Sequence, residues 1–169
     1  MRRQLALILP PAALTGIALV AAGCGATSHA AASGGSGSAY GAATPAAKKA
    51  ATVSTRSTGL GKVLVDGQGR TLYLFQKDKG TKSSCAGACA GVWPPLSSTG
   101  KGAVRGGLQA GKLGSTKRSD GTTQLTYAGH PLYTYAGDGK PGDVKGQGLD
   151  QFGAKWYVLA PSGRKIDDD

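Results

Sequence analysis

Tyr73-Leu74-Phe75-Gln76-Lys77-Asp78 and Tyr133-Thr134-Tyr135-Ala136-Gly137-Asp138 are two copies of one pattern: a tyrosine, an aromatic two residues on, and an aspartate three beyond that. At strand spacing the tyrosine and the next aromatic share one face, and the aspartate falls where the strand has stopped. Each copy follows a shorter apolar run and a glycine-containing turn. Val63-Leu64-Val65 precedes the first and Gln124-Leu125-Thr126-Tyr127 the second. The chain therefore reads as two duplicated β-hairpin repeats forming one small domain.

The fold class these copies imply is all-β, mostly short antiparallel strands with one short helical turn. No run sustains a helical period, and Asp66-Gly67, Asp120-Gly121 and Ala128-Gly129 mark turns. Strands are expected at 62–65, 71–76, 124–127, 131–135 and 155–160, with a weaker one at 108–113. The domain spans 59–166, enough for one modest core. Repeat one covers about 59–98, repeat two about 119–161, and 167–169 is a tail.

Upstream the composition changes twice. Residues 1–23 have a basic tip at Arg2-Arg3, an apolar segment, and Val20-Ala21-Ala22-Gly23 ahead of Cys24, the arrangement of a lipoprotein signal peptide. Pro10-Pro11 interrupts the apolar run, which is short for a bilayer span. Cys24 is thus the expected lipidation site and the start of the mature chain. Two or three acyl chains suffice for stable anchoring, at about 0.8 kcal/mol per buried methylene. Residues 24–58, rich in Ala, Gly and Ser, are too poor in apolar surface to fold and read as a flexible linker. The expected location is the extracytoplasmic face of the cell membrane.

With Cys24 taken by lipid, Cys85 and Cys89 remain as an even pair in an oxidising compartment. Ser83-Ser84 are expected to cap a helical turn beginning near Cys85, which Pro94-Pro95 stop. Positions four apart lie on one side of such a turn. A structural disulfide is the first reading and a redox-active pair the alternative, although Cys-x3-Cys lacks the thioredoxin spacing.

The two motif copies, with Cys85-Ala86-Gly87-Ala88-Cys89 and Trp93-Pro94-Pro95-Leu96 between them, resemble the predicted bacterial lipoproteins with a repeated Tyr-x-[Phe/Trp/Tyr]-x-x-Asp motif, a secreted repeat of unknown function. The resemblance covers about 59–161. It implies a duplicated, exported, often lipid-anchored module, and it implies no activity. Some relatives resemble a calcium-type loop after the second motif. Here Lys145 and Gln147 stand where carboxylates or amides would be wanted, so the stretch from Gly142 to Asp150 reads as a loop without metal.

Catalysis is hard to assemble from this composition. Glutamate is absent, His130 is the only histidine of the folded part, and no nucleophile elbow occurs. No cofactor or metal is expected. Trp93 and Trp156 suit either a core or a ligand platform. Asp78 and Asp138 suit either turn-tying acceptors or paired carboxylates facing one site. The net charge is +11, with 20 Lys/Arg against nine acidic residues. In an exported protein that points to anionic envelope polymers, lipid head groups or an envelope protein rather than nucleic acid. Lys77, Lys79 and Lys82 form the densest basic cluster, readable as a binding patch or a solvated face. The expectation is a lipid-anchored, extracytoplasmic binding or scaffold module without catalytic activity. An envelope redox or metal-handling accessory using Cys85, Cys89 and His130 is the alternative.

Overall fold

The structure, a computed structural model, describes residues 50–167. Cys24 and the signal segment lie outside the described residues. Nine short strands form three small sheets, with one helix, α1 (Ala88–Val92), and a 3-10 turn at Ala110–Lys112. The all-β expectation holds, and the two repeats form a single duplicated domain.

Repeat one opens with β1 (Thr52–Thr58), antiparallel to β2 (Gly61–Asp66) and paired in parallel with β4 (Ala103–Val104). Here the linker boundary expected at residue 58 falls too late. Thr52 to Thr58 is the central strand of its sheet, because β-branched Thr52, Val53, Thr55 and Thr58 suit a pleated backbone and Val53 is wholly buried. Repeat two opens in the same way, with β5 (Leu113–Lys117) antiparallel to β6 (Thr123–Tyr127). The boundaries expected at Gly59 and Ser119 therefore each omit an opening strand. The weak strand expected at 108–113 is instead the 3-10 turn leading into β5.

Next comes the motif strand of each copy. In repeat one this is β3 (Tyr73–Phe75), preceded by a bridge at Thr71. In repeat two it is β7 (His130–Pro131) continuing to Tyr133. A two-residue turn with φ of 51° at Ala128 and 88° at Gly129 joins β6 to β7. Two left-handed residues match the twist of a tight hairpin. The motif strands meet back to back: Tyr73 N donates to Tyr133 O (2.8 Å) and Tyr133 N to Tyr73 O (3.0 Å). This reciprocal pair marks a local twofold relation between the repeats.

The last strand of each repeat crosses that divide. β9 (Ala154–Val158), flanked by β8 (Asp150–Gln151), belongs to repeat two but pairs with β3 of repeat one, Tyr73 opposite Val158 and Phe75 opposite Trp156. The segment after Trp93 belongs to repeat one but bridges repeat two, Pro95 to Tyr133 and Ser97 to Gln124. Matching hydrogen bonds fix the equivalence. Leu64 N donates to Leu159 O (2.8 Å), Leu72 N to Leu64 O (2.9 Å) and Leu159 N to Leu72 O (3.2 Å). Their counterparts run from Leu125 N to Leu96 O (2.9 Å), Leu132 N to Leu125 O (3.0 Å) and Leu96 N to Leu132 O (2.8 Å). Each hairpin is closed by a strand from the other copy.

Alternating residues feed opposite faces, and both faces are covered. Leu64, Leu72, Leu74, Leu96, Leu125, Leu132 and Leu159 form one core with Val53 and Tyr127. Tyr73, Phe75, Trp93, Tyr133 and Trp156 form the other with Val63, Val65, Val158 and the two cysteines. At about 1.5–3 kcal/mol per buried leucine, the six crossing leucines alone are a major share of the driving force.

Candidate functional site

The aromatic core sits on the twofold relation. Phe75, Trp156, Trp93 and Tyr135 form a continuous stack with centroid separations of 4.0, 3.9 and 4.4 Å, drawn alternately from the two repeats. The indoles lie within 3° of parallel. Tyr73 meets Trp93 edge-on at 5.3 Å, and Tyr133 meets Trp156 likewise at 5.1 Å. Such pairs add about 0.5–1.5 kcal/mol each beyond their buried area. Gln151 satisfies both indole N–H groups, its side-chain oxygen taking Trp93 Nε1 (2.9 Å) and its carbonyl Trp156 Nε1 (3.1 Å). Trp93 and Trp156 are fully buried, so both are core residues and neither presents a face to a ligand.

The motif tyrosines and aspartates pair across the repeats. Tyr73 OH donates to Asp138 Oδ2 (2.8 Å), and Tyr133 OH donates to Asp78 Oδ2 (2.7 Å). The second oxygen of each carboxylate ties a loop: Asp78 Oδ1 accepts from Ser84 N (2.7 Å) and Oγ (2.9 Å), and Asp138 Oδ1 from Lys145 N (3.0 Å). Asp78 and Asp138 are thus turn-tying acceptors, each engaged with a different tyrosine and a different loop. Burial, reinforced by the neighbouring carboxylate, raises the pKa of both Tyr73 and Tyr133 far above the ordinary phenol value. Burial also raises that of Asp138, against the opposing hydrogen bond from Tyr73. Gly146 N donates to Tyr73 OH (3.2 Å), and a Cβ at residue 146 would lie 2.8 Å from the Trp93 ring and 2.9 Å from Tyr73. Only glycine fits that approach.

Cys85 and Cys89 form a disulfide with their Cα atoms 5.3 Å apart, and both are buried. The helix starts later than expected, with Gly87 rather than Ser83 or Ser84 at its N-cap and no side-chain cap. The serines are engaged elsewhere. Ser84 binds Asp78, while Ser83 Oγ lies 2.7 Å from Tyr133 OH and accepts from Arg118 NH1 (2.8 Å). Arg118 is the residue that sequence reasoning missed. Its side chain is 3% exposed, and it donates to Gln124 Oε1 (2.7 Å) and Cys85 O (2.5 Å), clamping the disulfide loop onto repeat two. Lying in the polar run Lys117-Arg118-Ser119-Asp120, it carries no sequence sign of burial.

The remaining expected residues lie outside this frame. His130 is half-buried and its pKa is lowered by desolvation, against an opposing pull from Asp78. Lys77 Nζ donates to Phe152 O (3.2 Å). Lys79 and Lys82 pair through their backbones in an exposed turn. Among the described residues no group of three His, Cys, Asp or Glu side chains could hold a metal ion. Lys145 Nζ pairs with Asp143 (3.2 Å) inside the loop after the second motif.

Residues 54–97 and 114–160 match the model of a family described as a secreted repeat of unknown function. The two segments coincide with the two structural copies. No curated protein and no solved structure matches the chain.

Proposed function

The chain belongs to the Lipoprotein_15 family of secreted repeats, and we propose that it is a lipid-anchored, extracytoplasmic, non-catalytic binding module of the cell envelope. The anchor rests on the Arg2-Arg3 tip, the apolar segment and the small residues before Cys24, and the disulfide suits an oxidising compartment. No helix among the described residues is long and apolar enough to cross a membrane.

The crossed Tyr–Asp pairing carries the non-catalytic half of the reading. The duplicated polar residues, which would be the first catalytic candidates, hold each other: Tyr73 with Asp138 and Tyr133 with Asp78. A phenol whose pKa is raised by burial and whose proton is held by a carboxylate is a poor acid–base group at neutral pH. What is left for function is the surface, which carries most of a large positive charge. The redox alternative is less well supported, because the Cys85–Cys89 disulfide is packed in the aromatic core, where a partner thiolate has little access.

Two measurements test the reading. Mass spectrometry of the native protein is expected to recover an N-terminal, diacylglyceryl-modified Cys24, and an intact Met1 would refute the anchor. Detergent-solubilised protein is expected to be retained by isolated envelope material more strongly than an unrelated protein of equal net charge. Equal retention would refute the binding role.

A further inference from the structure

Two of the concavities among the described residues are lined at equivalent positions of the two repeats. The first, of about 620 Å³, opens between the β2–β3 turn of repeat one and Thr134 of repeat two. Gln68 and Arg70 line it from the turn, Thr52 and Ser54 from β1, and Arg105 from beyond β4. Arg70 is held in place by buried Asp66, with Nε and NH2 each 2.7 Å from Oδ2, while 48% of its side chain stays exposed. Arg105 is exposed and its guanidinium has no partner among the described residues; the side chains of Gln68, Thr52 and Ser54 are likewise unengaged. The cleft therefore offers one positioned guanidinium, one free guanidinium, and neutral hydroxyl and amide groups, with no carboxylate among its described lining residues.

The second concavity, of about 400 Å³, shares two equivalent lining positions with the first. His130 stands three residues before Tyr133 as Arg70 does before Tyr73, and Leu74 follows Tyr73 as Thr134 follows Tyr133. Arg164 and Lys165 give it a basic rim, and Asp78 also lines it. That carboxylate makes it the weaker of the two for an anion.

We infer that the Arg70–Arg105 cleft binds an oxyanion unit of a repeating, hydroxyl-rich polyanion, of which a glycerol-phosphate chain is the simplest form. Guanidinium groups match phosphate and carboxylate oxygens in two-pronged geometry, and Arg70 is already oriented by Asp66. The hydroxyl and amide groups beside them suit the uncharged part of a polyol or sugar unit. A recessed site fits an extended chain better than a flat bilayer surface. The inference rests on the binding-module reading and names its ligand class.

The test is calorimetric titration of the full chain in neutral detergent micelles with a synthetic glycerol-phosphate oligomer, and separately with inorganic phosphate. Oligomer binding that weakens with salt is expected, with inorganic phosphate far weaker. Arg105→Gln should weaken oligomer binding about tenfold, the loss of a charge-assisted contact. Lys117→Gln removes the same charge from exposed β5, outside both concavities, and should leave binding unchanged. Oligomer binding that survives Arg105→Gln, or falls equally with Lys117→Gln, overturns the site while leaving the module reading intact. Displacement of the oligomer by short-chain phosphatidylglycerol doped into the micelles would assign the cleft to a lipid head group and overturn the polymer. Absence of any oligomer binding also overturns it, and the module reading is then judged separately by retention on envelope material.

Discussion

The crossed pairing of Tyr73 with Asp138 makes a quantitative prediction that pairing within one repeat would reverse. Tyr73→Phe removes the hydroxyl that donates to Asp138 and accepts from Gly146 N. A hydrogen bond to a charged group contributes about 1.5–3 kcal/mol, and an orphaned buried N–H costs about 1–3 kcal/mol, so a loss of about 3 kcal/mol is expected. A domain of ordinary stability, about 5–15 kcal/mol, survives that loss and can be measured by urea denaturation. The decisive quantity is the coupling in two double-mutant cycles. Tyr73→Phe combined with Asp138→Ala should be non-additive by about 1–2 kcal/mol, whereas Tyr73→Phe with Asp78→Ala should be additive within about 0.5 kcal/mol. The mirror cycle couples Tyr133→Phe to Asp78→Ala. If the stronger coupling instead joins Tyr73 to Asp78, each repeat closes on itself and the crossed frame is wrong.

Three further outcomes follow from the same core. Replacing Cys85 and Cys89 together by serine should cost about 2 kcal/mol in urea melts, the low end for disulfides because the loop closed is so short; a loss near zero would mean the pair does not bridge in the native protein. Trp93→Ala should cost about 3–5 kcal/mol and abolish the exciton circular-dichroism signal of the stacked indoles, and survival of that signal would refute the 3.9 Å stack. Tyr73 and Tyr133 hold their protons above the ordinary tyrosine pKa of about 10. The native state therefore binds more protons than the unfolded one from that pH upward, so stability is intact below about pH 10 and declines as pH climbs past it. Phenolate absorbance should show Tyr73 and Tyr133 ionising only as the fold is lost, and ionisation of both in the folded protein would contradict their burial.

Much of the architecture was legible because the motif writes itself twice. The paired Tyr-x-aromatic-x-x-Asp runs and the Asp-Gly and Ala-Gly turns announced short strands joined in hairpins, whereas burial of both their faces comes from the docking of the repeats. Strand β1 was hidden because Thr52-Val53-Ser54-Thr55-Arg56-Ser57-Thr58 has the polar, small-residue look of the linker before it, and one buried valine is too little to set a period. The helix was placed too early because Ser83 and Ser84 have the side chains of caps, yet the nearby Asp78 carboxylate holds Ser84, and a phenol and a guanidinium from distant segments hold Ser83. Spacing along the chain could not say which aspartate each tyrosine meets, since that depends on how the repeats dock. Arg70 and Arg105 were invisible as a pair for the same reason: only the parallel pairing of β4 with β1 brings them to one cleft.

Reciprocal closure of the hairpins has a consequence for any polypeptide that carries one copy of this repeat. Its final Trp-x-x-Leu strand would find no opposite hairpin within its own chain, and its own hairpin would lack the edge that Leu159 or Leu96 supplies here. Two such chains would have to meet as a symmetric dimer, with a melting point that depends on concentration. In this protein the connection through 99–112 converts that encounter into an intramolecular one, replacing protomer concentration by an effective concentration on the order of millimolar. Fusion of the two copies thus frees folding from abundance.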